Sequence, residues 1–228
     1  MAGKMAHTTR PSTTLKALWI TLVLASGLAI FWLVVFKLMS RLAARWGKSA
    51  PCPASFSWLV NNPIRRRYMR PILDRVGIRP RERVLELGPG PGAFTVDAAR
   101  RVGPEGRLVV VDIQPEMIAQ VERRVRAVGL ANVETNVASA YHLPLDDASV
   151  DRAFLITVLP EIPDQARALA ELRRVLKPGG VLSITEEFLD PDYLFACETV
   201  RLVEAAGFRL ERRLGNPWLY TLNFVHAE

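Results

Sequence analysis

The sequence predicts an α/β domain built on a mostly parallel sheet with helices on both faces, preceded by one apolar helix long enough to cross a bilayer. Three observations carry this prediction. From Arg81 onward, short apolar runs alternate with segments of helical periodicity. The last two apolar runs are separated only by Gly215-Asn216-Pro217. Ala17 to Phe36 contains no charged residue. Alternating buried strands and helices imply a parallel sheet covered on both faces. Two strands joined by a tight turn must be antiparallel, because a parallel return needs a crossover of roughly a dozen residues.

Residues 1–16 read as a short tail. The apolar stretch ALWITLVLASGLAIFWLVVF follows, and at about 1.5 Å per residue it extends about 30 Å, the thickness of a bilayer core. Lys16 and Lys37 bracket it, and Trp19 and Trp32 stand toward its ends, where amphipathic rings favour the interface. A cleavable leader has a shorter apolar stretch, about 7–15 residues, and a small-residue cleavage site. Residues 17–39 are therefore expected to form an uncleaved single-pass membrane helix. Lys37, Arg41, Arg45 and Lys48 follow it, against Lys4, Arg10 and Lys16 before it. That bias favours a cytoplasmic C-terminal domain.

Residues 40–80 read as a basic connector with an N-terminal helix. Pro51-Cys52-Pro53 ends any helix continuing from the membrane. Ser57-Trp58-Leu59-Val60 and then Ile64, Tyr68, Ile72, Leu73 and Val76 recur at helical spacing. Arg65-Arg66-Arg67 either touch headgroups or form a solvated face.

The domain proper spans 81–228. Val84–Leu87 is a buried strand ending in glycines, and Pro91–Arg101 is a helix with proline in its first turn. Arg107–Asp112 is a second strand. Pro115–Val128 is a helix with Met117, Ile118, Val121, Val125 and Val128 on one side. Val133–Val137, Val150–Ile156 and Gly180–Thr185 are the next strands, with a helix over Gln165–Leu176 and another ending near Ala206. Phe208–Leu214 and Trp218–Val225 close the chain.

Charge is unevenly placed. Residues 1–80 hold 13 Lys/Arg and one acid, Asp74, whereas residues 81–228 hold 17 Lys/Arg and 22 Asp/Glu. A nucleic-acid enzyme carries its positive field on the domain that does the chemistry. Here the basic excess sits beside the apolar helix, where anionic lipid is the fitting partner. No nucleic-acid partner is expected. Two cysteines, Cys52 and Cys197, and three scattered histidines, His7, His142 and His226, give no disulfide framework and no metal-ligand pattern.

Glu86-Leu87-Gly88-Pro89-Gly90-Pro91-Gly92 lies between the first strand and its helix. Glycines there let a ligand approach the backbone, at the end of an open α/β sheet where ligands bind. The spacing also fits the dinucleotide pattern, with Asp112 placed to grip a ribose. Two features argue against a dinucleotide. Pro89 and Pro91 remove two N–H donors that a pyrophosphate would use. Glu86 would repel a pyrophosphate and attract an ammonium or sulfonium group. Alternatives are a salt bridge from Glu86 to Arg83 or Arg81, and a helix-capping role for Asp112.

With these residues in view, about Arg79 to His226 resembles the class I S-adenosylmethionine-dependent methyltransferases. ValLeuGluLeuGlyProGlyProGly (84–92) resembles that family's first motif and ValAspIleGlnProGluMet (111–117) its second. LeuProLeuAspAspAlaSerValAspArgAla (143–153) resembles the run into its fourth strand, and LeuLysProGlyGly (176–180) the turn before its fifth. The resemblance implies a Rossmann-like seven-stranded sheet of order 3-2-1-4-5-7-6 with strand 7 antiparallel, and S-adenosylmethionine as cofactor. It implies that Gly88, Gly90 and Gly92 line the methionine part and that Glu86 stands near its amino group. Asp112 would hold the ribose hydroxyls and Ile113 would pack on the adenine. Ser139, followed by Ala140, occupies the place where relatives carry an acid near the adenine amino group. The histidines that many relatives carry after the fourth strand are absent from Thr157–Pro163.

Methyl transfer from a sulfonium needs alignment and exclusion of water more than a catalytic side chain. Glu161 and Tyr220 are the candidate catalytic residues, with Glu186 and Tyr68 as further acceptor-side candidates; each also has a packing, capping or ion-pairing alternative. The expected function is transfer of a methyl group to a small molecule at a membrane, with a lipid among the candidate acceptors. The alternatives are a tethered protein that binds the cofactor without catalysis, and a dinucleotide-dependent oxidoreductase.

Overall fold

The structure, a computed structural model, describes residues 13–45, 63–190 and 192–226, with the side chains of the first helix described without a break only over 18–28. The elements in order are α1 (Thr13–Arg45), α2 (Pro63–Met69), α3 (Ile72–Val76), β1 (Arg83–Leu87), α4 (Thr95–Val102), β2 (Arg107–Asp112), α5 (Pro115–Ala127) and β3 (Val133–Val137). They continue with β4 (Val150–Ile156), a 3-10 turn (Leu159–Glu161), α6 (Gln165–Val175), β5 (Leu176–Glu187), α7 (Ala196–Ala205), β6 (Phe208–Asn216) and β7 (Leu219–His226).

The seven strands form one sheet in the order β3-β2-β1-β4-β5-β7-β6. All pairs from β3 to β5 are parallel, and β7 is antiparallel to both β5 and β6. The order reverses between β1 and β4, so a crevice opens at the carboxyl ends of those strands.

Alternation along the strands sorts the core into two layers. Leu85, Val109, Val111, Ala153, Leu155, Leu182 and Ile184 pack with Leu169, Leu172 and Val203 of α6 and α7. Val84, Leu108, Val110 and Phe154 pack with Ile72, Val76, Ala98, Val102, Ile118 and Val121 on the other face. Covering both faces explains why β1 and β2 are apolar on both sides, without polar alternation.

The helix α3 is tied to this sheet by two strand side chains that bind its carbonyl groups. Arg152 of β4 donates to both carboxylate oxygens of Glu82, at 3.1 and 3.2 Å, and to the Val76 carbonyl at 2.8 Å. Asn223 of β7 donates to the Arg75 carbonyl at 2.9 Å. Both contacts fix α3 against the strands.

Three boundaries differ from expectation. The helix expected from Pro91 begins at Thr95, because Pro89–Gly92 closes a turn of its own through Gly92 N–H to the Pro89 carbonyl, 3.0 Å. The fifth strand begins at Leu176, where α6 runs directly into it. In the closing turn, the Asn216 side-chain oxygen accepts from the N–H groups of Trp218 and Leu219 at 2.9 and 3.1 Å, so Gly215 and Asn216 stay in β6.

Residues 13–45 form one unbroken helix. Among the described residues, no helix is long and apolar enough to cross a membrane. The transmembrane helix expected over 17–39 is therefore not supported there. What α1 does show is exposure: Leu18, Trp19, Ile20, Leu22, Val23, Leu24, Leu28, Phe31 and Trp32 are all open to solvent. The connector residues 46–62, with Cys52 and the Ser57–Val60 run, lie outside the described residues, as do the tail residues 1–12.

Candidate functional site

The site is built at the carboxyl ends of β1 and β2. Gly88 follows β1 with φ +69°, and its N–H donates to the Val111 carbonyl at 2.8 Å, bending the loop toward β2. A Cβ at Gly88 would stand 2.6 Å from Val158 Cγ2, so only glycine lets the loop pass the segment after β4. Gly90, φ +53°, meets nothing within 4 Å of where its Cβ would be: it faces open space.

Asp112 closes the other side. Its carboxylate accepts from the backbone N–H groups of Gln114 (2.9 Å), Gly90 and Ile113. Those donors favour the charged form, yet burial raises its pKa above the ordinary carboxylate value. The Asp112 carbonyl accepts from Ala138 N–H at 3.0 Å, which draws the loop after β3 to the same spot. Ser139 and Ala140 thus stand half-buried beside Asp112. The Ser139 hydroxyl accepts from Tyr141 N–H at 3.2 Å, holding a local turn. Ile113 projects outward and is 57% exposed, a free apolar face next to the acid.

Glu86 is the unusual member. It is 3% exposed, and one carboxyl oxygen, Oε2, has no hydrogen-bond partner. Burial pushes its pKa up to about 8; the Thr95 hydroxyl beside it pulls the other way, and the neighbouring Asp112 charge adds to the rise. It pairs with neither arginine expected as an alternative partner. Arg81 is held by Glu105, and no salt bridge joins Glu86 to Arg83 among the described residues. A buried, unmet carboxyl oxygen at a strand end fits a ligand that brings a positive charge or an N–H donor.

The loop's donors disfavour the dinucleotide reading. Gly88 N–H binds Val111, Gly90 N–H binds Asp112, Gly92 N–H binds Pro89, and the two prolines have none. No N–H of 88–92 is left for a pyrophosphate, and the two acids repel one. The open space at Gly90, the unmet Glu86 oxygen and the Asp112 carboxylate at the end of β2 fit S-adenosylmethionine, which carries an ammonium, a sulfonium and a ribose diol.

The acceptor-side residues separate on inspection. Glu161 sits half-buried on the turn after β4. Tyr220 is 1% exposed, its hydroxyl donates to the Leu194 carbonyl at 2.9 Å, and the Thr199 hydroxyl is 2.7 Å away. Its strand places it in the core, where the hydroxyl is spent on packing. Tyr68 is exposed on α2, its pKa raised by burial of part of its ring and by Glu187.

Sequence reasoning missed Arg65, Thr157 and Glu187. Arg65 is neither a headgroup contact nor a solvated residue. Its Nε donates to Glu187 at the end of β5 (2.8 Å), and its Nη2 reaches the Thr157 hydroxyl at the end of β4 (3.4 Å). Thr157 holds φ +55°, rare for a β-branched residue. The only sequence signal was the arginine run itself, which does not say which arginine turns inward. A cavity of about 650 Å³, lined by Arg81, Arg83, Arg100, Arg107 and Asn132, opens at the amino ends of the strands, opposite this site.

Comparison with known proteins agrees with this geometry. Residues 85–184 match the family model described as methyltransferase domain. The chain is 35% identical over 137 residues to a ubiquinone/menaquinone biosynthesis C-methyltransferase of Pasteurella multocida, covering 58% of this chain and 51% of that one. It is 35% identical over 128 residues to an arsenite methyltransferase of Halobacterium salinarum, covering 52% and 33%. The chain thus spans about half the length of the curated relatives it matches. A crystal structure of a SAM-dependent methyltransferase from Aquifex aeolicus superposes with TM-score 0.71 at 24% identity, over 77% of this chain and all of that one. Residues 85–184, set in a seven-stranded sheet of this order, thus form a methyltransferase domain of the class I S-adenosylmethionine-dependent type.

Proposed function

We propose that the chain transfers a methyl group from S-adenosylmethionine to a small, membrane-partitioned acceptor, and that residues 17–39 hold it to the membrane with the catalytic domain on the cytoplasmic side. The unmet Glu86 oxygen beside the open space at Gly90 is the observation that carries the cofactor half. The cofactor supplies a methyl carbon already activated by a sulfonium. The chain's own residues bind and align it: Glu86 takes the ammonium, Asp112 the ribose hydroxyls and Ile113 the adenine face. Arg65 bridges the ends of β4 and β5, where the acceptor must lie, and helps exclude water.

The membrane half rests on the uncharged stretch 17–36 and on the exposed apolar side chains of α1, which need a covering that water does not provide. An isoprenoid ring or a phospholipid amine fits such a setting, and the relative named for quinone biosynthesis points to the ring. Arsenite fits less well. Trivalent arsenic is thiophilic, the sequence holds two cysteines, and Cys197, the one described, is exposed.

The test is incubation of the full chain with methyl-labelled S-adenosylmethionine and membrane lipid extract. Label entering the organic phase supports the proposal. Label entering only a water-soluble metabolite refutes the acceptor class. Binding of S-adenosylhomocysteine with no labelled product from any extract refutes catalysis.

A further inference from the structure

Glu186 stands at the carboxyl end of β5, paired across to Tyr220 of β7. It has no solvent exposure, and neither carboxyl oxygen has a hydrogen-bond partner. The groups that face it are acidic. Glu161 comes from the turn after β4, and Asp190 and Asp192 follow β5; all three act on it electrostatically. Tyr220 offers it nothing, since that hydroxyl is spent on Leu194. The nearby arginine, Arg65, binds Glu187 and Thr157 and acts electrostatically on Asp190. Among the described residues, no three His, Cys, Asp or Glu side chains converge closely enough to hold a metal ion.

A side chain left unmet in this way costs about 1–3 kcal/mol per group, and packing does not require it. Leucine at this position would continue the apolar row of Leu182 and Ile184. Its place is functional ground: the end of the sheet that carries the glycine loop and Asp112, one strand from the positive-φ Thr157.

We propose that Glu186 is the proton acceptor for methyl transfer to an acceptor carrying an O–H or N–H group. This rests on the methyltransferase reading above. The acceptor's nucleophilic atom forms its bond to the methyl carbon as the carbon–sulfur bond breaks, and that bond's electron pair stays on sulfur. The proton of the acceptor's O–H or N–H goes to a Glu186 carboxyl oxygen.

In the free chain, burial and the three neighbouring acids hold Glu186 protonated well above the ordinary carboxylate range. The positive charge that the cofactor brings to the same edge draws it toward the carboxylate that the step needs. Turnover therefore rises with pH.

The test uses the full chain in detergent micelles with methyl-labelled S-adenosylmethionine. Its two acceptor probes are phosphatidylethanolamine for an amine and a long-chain hydroquinone for a phenol. Glu186→Gln keeps the shape and neutrality of the protonated acid. It is expected to keep the thermal midpoint and the S-adenosylhomocysteine affinity within about twofold. On whichever probe the wild type methylates, it should lose about 100-fold in kcat together with the rise of kcat with pH. A Glu186→Gln chain with more than a third of wild-type kcat and the same pH profile overturns the proposal, as does parallel loss of cofactor affinity. The infrared spectrum needs no acceptor. The wild type should show a protonated carboxyl stretch that Glu186→Gln removes, and a carboxylate band in its place overturns the proposal. If the wild type methylates neither probe, the acceptor class proposed for the enzyme fails, separately from the state of Glu186.

Discussion

Replacing Glu86 by glutamine should change the pH dependence of stability more than stability itself. In the folded chain the carboxyl has a pKa of about 8 against an ordinary value of 4.5. The folded state therefore keeps a proton that the unfolded state has lost. The stability this provides is complete below pH 4.5 and is lost as pH rises toward 8. The difference of about 3.5 units corresponds to about 5 kcal/mol, or about 1.4 kcal/mol for each pH unit between 5 and 8. Glutamine does not titrate. Urea unfolding of the cofactor-free wild type and Glu86→Gln chains at pH 5, 6, 7 and 8 should thus give two diverging lines, the variant gaining steadily on the wild type. A constant difference across that range would mean that Glu86 is ionised and partnered in the fold, and the reasoning about its unmet oxygen would be wrong.

Three more outcomes follow from the same geometry. S-Adenosylhomocysteine affinity should tighten up to about tenfold per pH unit from 6 to 8 and level off above, because its ammonium requires the Glu86 carboxylate; calorimetry across pH reads this, and it should vanish in Glu86→Gln. Gly90→Ala should fold with a loss of about 1 kcal/mol, since its Cβ meets nothing, yet weaken cofactor binding, whereas Gly88→Ala should lose about 2–4 kcal/mol through its contact with Val158; thermal melts with and without ligand separate the two. Arg152→Ala should cost about 3–5 kcal/mol by leaving Glu82 buried without its partner, with cofactor affinity per folded molecule unchanged.

The parallel strands and the glycine loop were legible because they are written locally, whereas the strand order came from the family resemblance. Apolar runs such as RLVVVD and the glycine loop place backbone by sterics and donor count, which do not depend on distant contacts. The closing hairpin was legible from its turn alone. The acceptor end was not, because it is made by long-range choices. Arg65 reaches 122 residues along the chain to Glu187, and nothing in Arg65-Arg66-Arg67 marks the first as the one that turns in. Tyr220 and Glu186 face each other across two strands, and register alone decides that the tyrosine is spent on packing while the acid is left unmet. The start of α4 was misplaced for a smaller reason: a proline admissible in a first helical turn here belongs to a separate turn closed by Gly92.

The central claim is that the glycine loop and the two strand-end acids hold S-adenosylmethionine. Calorimetric titration of the full chain with S-adenosylhomocysteine, repeated on Asp112→Ala with its thermal midpoint recorded, tests it most directly. Wild type should bind, and loss of the ribose contacts, about 1.5–3 kcal/mol for hydrogen bonds to a charged group, should weaken binding at least about tenfold while the chain remains folded. Binding that survives Asp112→Ala unchanged would place the cofactor elsewhere and contradict the account.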